Sequence, residues 1–210
     1  MRSDVLVVAA PGRLPRIECR GALAARHTEA DTVHLVSAAA TPLGGDTIAI
    51  RLIVEAGARL RVRTAAATVA LPGTTSTQSW ACWHIETAGE LDLDPEPTVV
   101  AAAARHASEM TICLDSAARL RVRERVQIGR TDEREGLWSG ALRADLAGAP
   151  LLRHRLELGA GTVADDALGT PLACVSELRY PEPATDAVGV TLELARGGSI
   201  STWQGARLYS

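Results

Sequence analysis

Cys82 and His84 lie two residues apart in an alternating stretch, so on a β-strand their side chains share a face. A soft thiolate beside an imidazole suits nickel or zinc. Cys113 is a third candidate ligand, because His84 and Cys113 fall at equivalent positions of two successive repeats. The plainer alternative is that Cys82 and Cys113 are small packed residues and His84 a polar surface group. Glu133 and Glu135 stand near Arg130 and Arg134 in a charged turn, a pattern that is ordinarily a solvated loop. The sequence contains no G-x-S-x-G elbow, Walker A loop, H-E-x-x-H or Rossmann glycine fingerprint. The five histidines are scattered, and no two carboxylates are paired as acid and base. This favours a scaffold or interaction protein over an enzyme.

The elements that must position these residues form a repeat. Val54–Arg63, Ile85–Asp94 and Leu114–Arg123 align without a gap, each with a turn of small residues followed by strict alternation of apolar and charged positions. Alternation is the period of a strand. Leu60 and Val62, Leu91 and Leu93, and Leu120 and Val122 are expected to point inward. The outward positions read Arg59, Arg61, Arg63, then Glu90, Asp92, Asp94, then Arg119, Arg121, Arg123. Stacked in register, each acidic strand lies between two basic ones about 4.8 Å away, with Arg61, Asp92 and Arg121 as neighbours. On the preceding strands Ile50, Leu52, Val54 align with Ala81, Trp83, Ile85 and with Met110, Ile112, Leu114.

A looser fourth copy turns at Gly148-Ala149 and a fifth at Gly197-Gly198. The expected fold is mainly β, a β-helix or solenoid-like stack of strand–turn–strand repeats with a few short helices. The alanine-rich stretch Thr98–Ser108 is one candidate helix, and the proline-rich Pro171–Thr185 reads as loop. One domain spans residues 1–210, with a repeat core over about 43–160 and further strands within 188–205.

Composition narrows the setting. All 22 basic residues are Arg, and with a net charge of −3 nothing calls for nucleic acid. No run reaches the roughly 18 apolar residues of a membrane span, and the apolar stretch Val5–Ala10 is too short for a secretory signal. A cytoplasmic protein with no membrane partner is expected, its four spaced cysteines free and largely buried.

Several motifs together resemble the urease accessory protein UreD (UreH) family. Leu43-Gly-Gly-Asp46, a strand and Glu55-Ala-Gly-Ala58 resemble the family's G-G-D stretch and following turn; Thr64–Thr68 resembles its T-x-x-A segment. Leu91–Val100, with Pro95 and Glu96, resembles L-E-W-L-P-Q; Ile128-Gly-Arg130 with Glu135 and Gly140 resembles L-G-R-x-x-x-G-E; Leu151–Leu158 resembles the closing L-L-x-E-R-L. The match covers roughly residues 33–160. The first glycine pair of the family is Ala39-Ala40 here, and Arg134 replaces the glycine before the glutamate.

The resemblance implies a non-catalytic maturation factor that binds UreF, recruits the GTPase UreG through it and docks on apo-urease, with no tightly bound cofactor and nickel only in transit. By motif position it nominates Asp46, Glu96 and Glu135 as path or structural carboxylates, with Gly44 and Gly45 as a structural turn. For Asp46, capping of that turn is the stronger reading. Two alternatives stay open: a β-solenoid enzyme acting on polysaccharide, and a structural adaptor with no metal role.

Overall fold

A computed structural model describes residues 1–39, 42–159, 161–162, 170–186 and 188–208. In chain order the strands are β1 (Arg2–Ala9), β2 (Arg16–Arg20), β3 (Leu23–Glu29), β4 (Thr32–Ser37), β5 (Thr47–Val54), β6 (Arg59–Thr64), β7 (Thr68–Ala70), β8 (Gln78–Thr87) and β9 (Glu90–Leu93). They continue as β10 (Thr98–Val100), β11 (Arg105–Leu114), β12 (Arg119–Ile128), β13 (Leu137–Leu146), β14 (Ala149–Gly159), β15 (Ala173–Tyr180), β16 (Val190–Glu193) and β17 (Ser199–Gly205). The first sheet runs β14-β13-β11-β8-β5-β1-β2; the second runs β16-β17-β15-β12-β9-β6-β4-β3, with β7 and β10 attached beside β12.

The inner strands of each sheet are parallel: β1, β5, β8, β11, β13 in one and β4, β6, β9, β12 in the other. The chain therefore crosses from sheet to sheet and returns, once per repeat. That is a β-solenoid of stacked coils. Arg61 lies beside Asp92, and Asp92 beside Arg121, the register expected from the charge reversal.

Before the turns the register differs by two residues from the gap-free alignment. Ile50 neighbours Trp83 and not Ala81, and Trp83 neighbours Met110. The second turn is the cause: Ile85 precedes Glu90 by five positions, whereas Leu52 precedes Arg59 and Ile112 precedes Arg119 by seven. Gly89 makes the short turn fit, since a Cβ there would lie 2.4 Å from the Ala58 carbonyl oxygen. A slip of two keeps every side chain on its face, so the inward residues stand while their neighbours change.

Three other expectations are corrected. Thr98–Ser108 is β10, a turn and the start of β11, and no helix occurs among the described residues. Alanine favours a helix only weakly; here Ala101 N–H donates to the Ala70 carbonyl, and the Val100 carbonyl accepts from Gly129. Pro171–Thr185 contains β15, bonded to β12 and β17; its prolines flank the strand and leave it intact. The turns after β13 and β16 close antiparallel hairpins within one sheet rather than further coils.

Two apolar clusters fill the space between the sheets. The larger holds Leu52, Leu60, Ile85, Leu91, Ile112 and Leu120 among others, and the smaller gathers around Val100, Val126, Ile128, Trp138, Leu158 and Cys174. Each fully buried aliphatic side chain contributes about 1.5–3 kcal/mol. On the outer face of the second sheet the charges pair as a ladder: Arg59–Glu90 at 2.7 Å, Arg63–Asp92 at 2.6 Å, Arg121–Asp92 at 3.1 Å and Arg125–Asp94 at 3.0 Å. Glu177 on β15 extends it, taking Arg121, Arg123 and Arg179.

Candidate functional site

The inward alternation that builds the core is broken at one level of the stack. On β12 the inward series is Leu120, Val122, Glu124, Val126, Ile128, and Glu124 is half-buried where its apolar neighbours are buried. The inward series of the neighbouring strands carry Ser79 on β8, His106 and Ser108 on β11, His154 on β14 and Ser176 on β15. Pairing joins the row: Ser79 beside His106 and Glu124 beside Ser176. These residues form a polar seam in the interior, touching both apolar clusters.

Within the seam, Ser108 Oγ donates to Glu124 Oε1 at 2.5 Å, and Ser79 Oγ bonds His106 Nδ1 at 2.9 Å. Burial pushes the Glu124 carboxyl up to about 7, opposed in part by the Ser108 bond. The same desolvation pulls His106 down to about 4 and lowers His154. The Cys174 thiol is driven far above its ordinary value by burial and by the charge of Glu124. Near neutral pH the seam thus holds neutral imidazoles and a carboxyl balanced between its two forms.

A cavity of about 190 Å³ opens onto this seam. Ile48, Ile50, Trp83 and Leu93 give it an apolar wall, His106, Ser108 and Glu124 a polar one, and the exposed Glu96 stands on its lining. The arrangement can hold a small polar species in weak, mixed oxygen and nitrogen contacts.

The nominated residues fall in different places. Asp46 is buried and accepts from the Met1 amino group at 2.6 Å and from Leu43 N–H at 2.9 Å, so it organises a turn. Gly44 packs against the Ser76 carbonyl, where a Cβ would lie 1.8 Å away, and Gly45 takes φ +94°. Glu135 is exposed in the loop before β13, its carbonyl accepting from Ala103 N–H at 2.6 Å. Beside it, Glu133 is drawn down to about 2 by the Arg130 side chain and by the backbone N–H groups of Arg130 and Ala102.

The cysteine–histidine trio is not assembled. His84 neighbours Thr111, and Cys113 neighbours Glu86, because of the two-residue slip. His84 Nε2 instead meets Glu86 at 3.2 Å. The Cys82 thiol is raised by burial and by Glu109, which disfavours the thiolate. No group of three or more His, Cys, Asp or Glu suited to a metal occurs among the described residues. The cysteines are free, with Cys19 and Cys113 exposed rather than buried. The outward carboxylates Glu90, Asp92 and Asp94 are all bound by arginine.

Fold and site together define a β-solenoid protein with a charge-paired outer face and a polar interior seam. The chain belongs to the UreD urease accessory protein family, whose model matches residues 12–205. It is 39% identical over 179 residues to urease accessory protein UreD 1 of Saccharopolyspora erythraea, covering 81% of this chain and 70% of that one. It is 40% identical to UreD of Frankia alni, over 76% of this chain and 61% of the relative. With UreD of Frankia casuarinae the identity is 39%, over 76% of this chain and 55% of the relative. The chain thus spans between about half and two thirds of the length of most of these relatives.

Proposed function

We propose that this chain is a non-catalytic, cytoplasmic urease maturation factor: a scaffold that binds UreF, recruits UreG through it, docks on apo-urease, and passes nickel in transit. Its family, whose members are named urease accessory proteins, supports the maturation role. One structural observation supports the transit role. Glu124 is a half-buried, inward-facing carboxyl on a 190 Å³ cavity that also carries the exposed Glu96. Single oxygen and imidazole contacts bind a borderline cation loosely, as passage requires. A closed thiolate cage would retain it.

Co-expression with UreF, UreG and apo-urease tests both parts. A soluble complex is expected with the wild-type chain and with Glu124→Leu, whereas urease activation and nickel content are expected to fall only for the variant. Failure to form a complex overturns the scaffold. Undiminished activation by Glu124→Leu overturns the transit and leaves a metal-independent adaptor.

A further inference from the structure

Glu124 also lines a second, smaller space, of about 20 Å³, together with apolar side chains from both sheets, among them Met110, Val122, Leu142 and Leu178. Trp138, His154 and Ser176 line it as well. The Nε1–H of Trp138, Nε2 of His154 and Oγ of Ser176 are buried and have no hydrogen-bonding partner among the described residues. Folded interiors leave few such atoms unbonded, and three of them on one small space mark a site.

We infer that this space binds one water molecule, held by Trp138, His154, Ser176 and Glu124. Size is the first reason: a space needs about 10–15 Å³ to admit a water, with two to four polar partners. Bonding capacity is the second. The Trp138 indole N–H only donates, so the occupant must accept a bond there. The Glu124 carboxylate only accepts when ionised, so the same occupant must also donate. Ser176 and neutral His154 serve either way. Water satisfies all four. A bare divalent cation or ammonium would face the positive end of the Trp138 N–H, and a small anion would face Glu124.

The water has a consequence for the transit reading, and only this consequence rests on that reading. A cation at Glu124 would have to displace the water and meet an N–H donor to go further along this side. The seam therefore admits a cation as far as Glu124 from the larger cavity and no deeper toward Trp138.

A high-resolution crystal structure of the co-expressed complex tests the site directly. One water peak is expected within about 2.7–3.2 Å of Trp138 Nε1 and Ser176 Oγ. In solution, the Trp138 indole proton should show a cross-relaxation signal to a long-lived water. Ser176→Val, which fills the space, should abolish that signal. An empty space, an absent signal in the wild-type chain, or an anomalous peak inside the small space after soaking in nickel overturns the inference. The wild-type measurements decide even if Ser176→Val does not fold. If Glu124→Leu leaves urease activation intact while the water peak is present, the transit reading has failed and the water site has not.

Discussion

Glu177 and Glu124 lie on adjacent strands, and their environments drive them in opposite directions. Glu177 faces outward on β15, where Arg121, Arg123 and Arg179 surround it. Its burial raises the carboxyl, but the Arg179 bond and the three guanidinium charges outweigh that and lower it. Glu124 faces inward on β12 with Ser108 as its bonded partner, and burial raises it to about 7. The difference teaches that partner supply, more than depth alone, decides what a carboxylate does in this fold. The outer ladder neutralises every acid it carries, so its charges set register. Among the described residues the seam pairs Glu124 with no cation, so that carboxyl keeps binding capacity to spare.

The largest expected effects come from the seam, as pH dependence of stability. Glu124 has a folded value of about 7 against 4.5 unfolded, so between these values the folded chain holds a proton that the unfolded one has lost. Stability therefore falls as pH rises through that window, by on the order of 3 kcal/mol. His106 has a folded value of about 4 against 6.5 unfolded, so there the unfolded chain binds the extra proton. Stability rises with pH through that window by a similar amount, on the order of 3 kcal/mol, and the lowered His154 adds to the rise. The contributions oppose each other, and the wild-type profile should be nearly flat between about pH 5 and 6.5. Urea denaturation across that range should show a rising profile for Glu124→Gln and a falling one for His106→Gln. Two flat variant profiles would erase the contrast between seam and ladder.

The ladder should respond less, and unevenly. Glu177→Gln removes a carboxylate shared by three arginines and should cost about 2 kcal/mol at neutral pH. Because its carboxyl is lowered in the folded chain, that stabilisation is present above 4.5 and is lost as pH falls below it. Asp92→Asn, on a more exposed rung, should cost under about 1 kcal/mol, a loss that should shrink further in high salt. Thermal melts of both variants with and without added salt measure this order. An Asp92 effect equal to that of Glu177 would mean the outer face works as one network.

How much of this was legible follows from where local rules govern. The ladder could be read because charge reversal on successive strands leaves one favourable register, and Arg61, Asp92 and Arg121 took it. Glu124 was within reach of the same reasoning: the apolar alternation Leu120, Val122 continues through it to Val126 and Ile128, and an acid at an inward position stands out. The repeat unit stopped one residue short of it, at Arg123. That His154 and Ser176 share a space with Glu124 was not legible. It depends on β14 folding back beside β13 and on β15 returning to β12 after a long connection. Neither return follows the repeat. The His84–Cys113 juxtaposition failed for a local reason, the short turn at Ala88-Gly89, which a gap-free alignment does not register.

The smallest effect is expected from the trio that chemistry alone would have favoured. His84 and Cys113 belong to rows two residues apart, and Cys82 faces Glu109 across the strand pair. His84 and Cys113 are also exposed, so truncating either removes little packing. The triple variant Cys82→Ser, His84→Gln, Cys113→Ser should therefore melt within about 0.5 kcal/mol of wild type per site. Its nickel stoichiometry in equilibrium dialysis should be unchanged, whereas Glu124→Leu should lower any nickel bound. If the trio variant lost nickel and Glu124→Leu did not, the metal would be handled on the outer face of the first sheet. The contrast would then invert, with the interior seam serving hydration and the surface serving transport.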